Sequence, residues 1–341
     1  MTFDAEVVVV GAGVMGLATA RALARAGRDV MVCEQFRLGH DRGSSHGSSR
    51  IVRLSYPEER WVRLAQESYP LWRELEAETG RALLELHGTL DLGDWEPNRD
   101  ALASCAVEHE VLDAGEIERR FGIRAERAER GLYQRDGGIL LADAAVEALA
   151  RSAVDAGATV REGVRVSAFA EEGDGVLVDD LRARAVVLTV GAWAPGLAGV
   201  DATPTSETVS YFELDGPTPS VIDTTTGARS GYALATPDGL LKAGLHQTGR
   251  TVDPDRPQPP EPELAERTAS WVGRRFPGAA PTERRETCLY TVRDGDEFLL
   301  DRRGRIVLGS PCSGHGFKFA PAIGRRLAAL AIQLLAAKRP L

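Results

Sequence analysis

Three glycines and one acid carry the most specific chemical spacing in this chain. The stretch Gly11-Ala-Gly-Val-Met-Gly16 removes Cβ atoms where a pyrophosphate must approach the backbone, and a helix opening beside it presents free N–H groups and a positive dipole end. Glu34, eighteen residues beyond Gly16, stands where a carboxylate can accept both hydroxyls of a ribose and would repel a 2′-phosphate. Gly11, Gly13, Val14, Met15, Gly16, Glu34 and Gln35 therefore form a candidate dinucleotide site. The motif does not separate FAD from NAD, which share the adenosine diphosphate half, and a glycine-rich turn in another doubly wound fold remains the alternative.

The surrounding elements must position that motif. A β-branched run at 5–10, an Ala/Leu-rich helix to about 26 and a strand at 29–33 make a complete βαβ unit. A Gly/Ser-rich loop at 39–49 leads into an extended segment at 50–56 and a helix over about 58–78, followed by short strands near 87–92 and 131–133. The alternation then resumes with a strand at 138–141, a helix at 142–156 and strands at 159–166, 175–178 and 185–190, a return to the nucleotide lobe. From 204 to about 242 the pattern predicts short strands of a separate β-rich lobe. Five prolines within 253–263 mark a rigid connection ahead of a helix at 264–276, and the apolar stretch 327–337 reads as a docked core helix.

The expected fold is α/β, with a Rossmann-type nucleotide lobe and a second, antiparallel β-sheet-rich (α+β) substrate lobe. The lobes are expected at 1–87, 137–200 and 292–341, and at 88–136 and 201–291, respectively. With 341 residues, 43% of them apolar, the chain can bury a large core. A net charge of −9 with mixed signs argues against nucleic acid or an anionic membrane as partner. Residues 1–4 carry no basic stretch or cleavage site, and Cys33, Cys105, Cys288 and Cys312 lack metal or disulfide spacing. A cytoplasmic protein without a metal is expected.

Further along, Gly43-Ser-Ser-His-Gly-Ser-Ser-Arg-Ile-Val-Arg53, Cys288-Leu-Tyr-Thr291 and Ser313-Gly-His-Gly-Phe-Lys-Phe319 occur in order, with Gly138-Ile-Leu-Leu-Ala-Asp143 and Gly191-Ala-Trp193 between them. Together they resemble the monomeric sarcosine oxidase and N-methyltryptophan oxidase family of D-amino-acid-oxidase-like flavoproteins. The resemblance spans nearly the whole chain, although the region from about 206 to 229 looks shorter than in family members. It implies FAD as cofactor, an amino acid or amine and O2 as substrates, and a monomer.

The resemblance also distributes roles. Arg53 and Lys318 match the pair that binds the substrate carboxylate, which suits an Arg fork and a Lys point charge. Arg50 matches an arginine close to the flavin ring, and Ser49 a small hydroxyl residue beside it. Lys242 matches the lysine that promotes reaction with oxygen, where a cation would stabilise developing superoxide. His246, Tyr232 and Tyr290 match pocket residues, while His46 is expected to make structural hydrogen bonds. His40, Ser44, Val166, Gly314, Gly316 and Phe317 join the cofactor contacts. Cys288 matches the cysteine that attaches flavin through its 8α carbon, reasonable chemistry for a soft thiolate, with a buried small hydrophobe as the alternative.

These readings converge on an FAD-dependent oxidase acting on a CH–NH donor. A secondary or N-substituted amino acid, sarcosine-like, is expected to lose hydride to flavin N5 and leave as an imine that hydrolyses, with O2 reduced to peroxide. A bulkier N-carboxymethyl amine cleaved to glyoxylate, or a cyclic imino acid, is the enzymatic alternative. A dehydrogenase using a carrier protein, and a flavin-binding redox module without turnover, are the others.

Overall fold

The computed structural model describes residues 2–216, 218–227 and 229–336. Residues 1, 217, 228 and 337–341, which the expected lobes and the end of the C-terminal helix include, lie outside them.

The β-branched run forms strand Ala5–Val10, which lies parallel to Val30–Glu34 on one side and Leu181–Leu188 on the other. Burial on both faces explains why Ala5–Val10 and Val30–Glu34 read as apolar runs rather than alternating ones. Thr159–Glu162 extends the sheet beyond Val30–Glu34. On the far side Ile306–Ser310 and the antiparallel Gly175–Val178 share the edge of Leu181–Leu188. Helix Val14–Arg25 packs against the sheet with helices Ala142–Asp155 and Ala320–Ala336. A Cβ on Gly324 would stand 2.6 Å from the Ala18 carbonyl carbon, so the two helix backbones touch. The segment Phe317–Ala336 is long and apolar enough to cross a bilayer by composition, and here its buried face docks on that helix.

A second, nine-stranded sheet joins Thr203–Glu213, Leu240–Leu245, Gly231–Ala235, Ser220–Asp223, Thr89–Leu92, Arg130–Gln134 and Glu110–Asp113, with Arg250–Thr251 and Ala280–Val292 beside Thr203–Glu213. This departs from the expected run of short strands. Thr203–Glu213 spans eleven residues and Ala280–Val292 thirteen, paired antiparallel with one register shift near Ser210. Between the sheets, Ser49–Val52, Gly138–Leu141 and Leu84–Glu85 form a three-stranded sheet. The extended segment expected at 50–56 is thus a four-residue strand, and the strand expected to reach 166 stops at Glu162. Helices Glu96–Ser104 and Ala114–Phe121, the latter closed by an Asp113/Glu116 capping box, fill a stretch where the sequence pattern announced only strands.

Helix Pro262–Arg275 is fastened to the nine-stranded sheet by a buried ion cluster. Arg275 donates to Asp223 at 2.7 Å and to both Glu129 oxygens at 2.7 and 2.6 Å, and Trp271 Nε1 donates to Asp223 at 2.8 Å. Asp223 has no exposed surface. Burial pushes its carboxyl up, but Arg275, Thr225 and Trp271 outweigh that and hold it below the ordinary range. Removing the cation would strand two carboxylates, so Arg275→Met is expected to cost about 3–5 kcal/mol of stability in urea unfolding at pH 7.

Candidate active site

A cavity of about 1220 Å³ runs from the carboxyl ends of the parallel strands to the face of the nine-stranded sheet. At the nucleotide end Gly11 adopts φ +95°, and a Cβ there would stand 2.7 Å from the Thr189 carbonyl oxygen. Gly13 caps helix Val14–Arg25 without a side-chain hydrogen bond, and the Val14 amide donates to Ser45 Oγ at 3.1 Å. Val14 and Met15 line the cavity with Gly11 and Gly13. Gly16 does not. A Cβ on Gly16 would fall 1.8 Å from the Gly11 carbonyl oxygen and 2.7 Å from Thr189 Oγ1, so its part is to let the helix close on the turn.

Glu34 ends its strand with its carboxylate inside. Oε2 accepts from the Ala12 amide at 2.7 Å, while Oε1 accepts from Phe36 N at 2.9 Å and lies 3.4 Å from His40 Nε2. Burial raises its pKa, yet His40 and the two amides together hold it below the ordinary range. It is therefore ionised at neutral pH, with further lone pairs to offer a diol. Gln35, His40 and Val166 line the same end. Across its mouth lies the proline-rich segment, held by Asp255, which accepts from Arg165 at 3.0 and 2.7 Å and from Trp193 Nε1 at 2.8 Å.

The far end is cationic. Arg50 donates to the carbonyls of Ser49 and Ser44 at 3.0 Å each and of His46 at 2.5 Å, and its Nη2 reaches Cys288 Sγ at 3.5 Å. Lys242, on strand Leu240–Leu245, donates to the Ser49 carbonyl at 3.3 Å. Burial first, and then Arg50, lower its pKa to about 7. Lys318 donates to Tyr56 Oη at 2.8 Å and to the His315 carbonyl at 2.7 Å, and burial with Arg53 nearby holds its pKa well below the usual lysine range. Arg53 lines the cavity with its guanidinium 4.5 Å over the Tyr56 ring, and its Nη1 donates to the buried Asp91 at 3.2 Å.

Tyr232, Tyr290 and His246 wall this end. Burial raises both tyrosine hydroxyls above their ordinary range and drops His246 to about 4, so at neutral pH all three are uncharged. Gly314, at φ +78°, passes so close that a Cβ would lie 2.3 Å from Tyr290 and 2.6 Å from His246. Gly316 and Phe317 continue that wall, and the Phe317 ring lies 5.7 Å from the Arg50 guanidinium. His46 gives its carbonyl to Arg50, while its buried Nε2 has no partner among the described residues. Asp91, Tyr56 and His315 went unread in the sequence. A lone acid at 91, in a strand otherwise alternating apolar, was the available signal.

The residues fit a dinucleotide cofactor. Besides the glycine cradle and Glu34, the cavity wall carries buried hydroxyls of Ser44, Ser49 and Ser310 and His46 Nε2, none with a partner among the described residues. Unpaired buried polar atoms call for a polar occupant.

Relatives agree over the whole length. Residues 6–330 match the family model described as FAD dependent oxidoreductase. The chain is 33% identical to a probable sarcosine oxidase of Arabidopsis thaliana, over 96% of this chain and 88% of that protein. It is 32% identical to the peroxisomal sarcosine oxidase of Homo sapiens, over 96% and 92%. Among solved structures, NikD, an unusual amino acid oxidase essential for nikkomycin biosynthesis, superposes with a TM-score of 0.87 at 29% identity, covering 97% of this chain and 95% of that one. Glycine-lined turn, terminal acid and family match agree, and the chain belongs to the FAD-dependent oxidoreductases of the D-amino-acid-oxidase type.

Proposed function

We propose that the protein oxidises a secondary or N-substituted amino acid, sarcosine-like, at a carbon next to nitrogen, with O2 as electron acceptor. The observation that carries this is the convergence of Arg50, Arg53, Lys242 and Lys318, from three distant stretches of chain, on one end of a cavity walled by uncharged aromatic groups. Sarcosine oxidases among the relatives, and an amino acid oxidase among the structural neighbours, support the same reaction class.

FAD would be held by Gly11, Gly13, Val14, Met15, Glu34, Gln35, His40, Ser44 and Val166 at one end and by Arg50, Cys288, Gly314, Gly316 and Phe317 at the other; when bound it supplies a hydride acceptor at N5 and two electrons for O2. Arg53 and Lys318 bind the substrate carboxylate and so fix which carbon is presented. A carboxylate beside Lys318 favours its ammonium form, which offsets the downward pull of burial. Tyr232, Tyr290 and His246 exclude water and stay neutral, which leaves the substrate amine free to bind unprotonated. The imine released is hydrolysed in water. In its ammonium form Lys242 places positive charge beside Ser49, where charge developing on oxygen would be stabilised.

A larger N-carboxymethyl amine, releasing glyoxylate, is the second reading. Beyond the clamp the cavity continues past Ser230 to Pro57, Glu58, Trp61 and Asp296, a polar mouth able to take a bulky substituent. An anaerobic bleaching screen over sarcosine, proline, pipecolate, glycine and longer N-alkyl glycines distinguishes the two. Bleaching by one of them is expected, and a flavin unbleached by any amine would overturn the oxidase reading. In Arg53→Met the apparent affinity for the responding substrate is expected to fall by about 10- to 100-fold, the equivalent of one charge-assisted pair.

Covalent attachment through Cys288 completes the proposal. Its sulfur lies 3.5 Å from Arg50 Nη2 on the cavity wall, and a soft sulfur nucleophile suits addition at the 8α carbon. After acid precipitation the yellow colour is expected to stay with the protein pellet, and Cys288→Ala to release it to the supernatant. For Lys242→Met, anaerobic reduction by substrate is expected to change little while reoxidation by O2 slows about 10²- to 10³-fold in stopped flow, the usual weight of one electrostatic group.

A further inference from the structure

Asp91 lies behind the cavity wall, and its surroundings explain why an acid occupies an inner strand. Thr89–Leu92 is paired on both sides, with Arg130–Gln134 and with Ser220–Asp223. Leu90 and Leu92 face the apolar cluster that also contains Val221 and Trp271, so alternation turns Asp91 to the opposite side, towards Arg53. Only 3% of its surface is exposed, and a carboxylate there is costly unless fully paired.

It is fully paired. Oδ1 accepts from Arg53 Nη1 at 3.2 Å, while Oδ2 accepts from the Ser55 hydroxyl and from Asn98 Nδ2 at 2.9 Å. Asn98 Nδ2 also reaches Ser55 Oγ at 3.1 Å, closing a triangle that prevents the carboxylate from rotating. The consequence falls on Arg53. Its guanidinium is caught between the fixed Oδ1 and Tyr56, in a side chain that lines the cavity.

We propose that Asp91, locked by Ser55 and Asn98, is a positioning residue for Arg53, holding its guanidinium in the orientation that recognises a substrate carboxylate. This rests on the reading of Arg53 as a carboxylate partner. Asp91 does not itself touch substrate. It removes the freedom of a long side chain before the ligand arrives, so that freedom is not lost on binding. The class favoured is a planar anion able to take two parallel N–H donors, over a neutral isostere of the same shape.

The test titrates oxidised holoenzyme with pyrrole-2-carboxylate and, separately, with pyrrole-2-carboxamide, reading the flavin absorbance change. Asp91→Ala is expected to weaken carboxylate binding about 10- to 100-fold and carboxamide binding by less than about threefold. Asp91→Asn keeps an acceptor for Arg53 and is expected to restore carboxylate binding to within about threefold of the parent, since positioning needs the oxygen more than its charge. Should Asp91→Ala fail to accumulate with flavin, Asn98→Ala reads the same device and is expected to weaken carboxylate binding severalfold at unchanged flavin content. Parental carboxylate affinity in Asp91→Ala or Asn98→Ala would overturn the proposal. So would tighter binding in Asp91→Asn, which would make Asp91 only a counter-charge. Arg53→Met in the same titration separates the two levels: if it binds carboxylate like the parent the clamp reading fails, and if it alone is weakened only the role of Asp91 does.

Discussion

Concentrating positive charge in a dry pocket is the constraint on which this molecule depends. Arg50, Lys242 and Lys318 are held by neutral oxygens, namely the Ser44, Ser49, His46 and His315 carbonyls and the Tyr56 hydroxyl. Neutral acceptors satisfy the donors without cancelling the charge, so the field remains for an incoming anion. The cost appears in the lysines, both displaced downward by burial. Arg53 is the exception, sharing its charge with Asp91.

The fold meets that constraint by bringing ends of unrelated elements together. Strand Ser49–Val52 supplies Arg50, with carbonyls from the strand and from the loop before it, Leu240–Leu245 presents Lys242 from the nine-stranded sheet, and the short helical turn Phe317–Phe319 delivers Lys318 at the start of the C-terminal helix. No single sheet holds the pocket. Its geometry is set by the pairing of Ser49–Val52 with Gly138–Leu141 and by the long ladder that fixes Cys288 opposite Glu207.

Much of this was legible in the residues. The βαβ unit, Glu34 and the order of the later motifs specify local geometry that side-chain periodicity and backbone sterics enforce, and the two strands and helix of that unit formed close to their expected bounds. Gly16 was misjudged because a glycine needed for ligand approach and one needed for helix packing look alike in sequence; only the 1.8 Å clash with the Gly11 carbonyl separates them. The long strands Thr203–Glu213 and Ala280–Val292 were hidden because their polar residues face partners distant in sequence. For the same reason the lone acid at 91, visible as an oddity in its strand, could not be given a role. Its meaning resides in Arg53, thirty-eight residues away, and in a triangle of hydrogen bonds that no spacing rule encodes.

Lys318 is secured at both ends by one stretch of chain: Tyr56 receives its ammonium, and Trp72 Nε1, in helix Glu59–Thr79, donates to its carbonyl at 2.8 Å. Trp72 lies entirely within the core, one layer behind the cavity lining, and it anchors the backbone from which a charged group reaches inward. The interior of that helix is therefore part of the recognition apparatus. Sequence drift there would register as altered ligand preference as well as weakened packing, and the boundary between scaffold and site runs through the middle of the hydrophobic core.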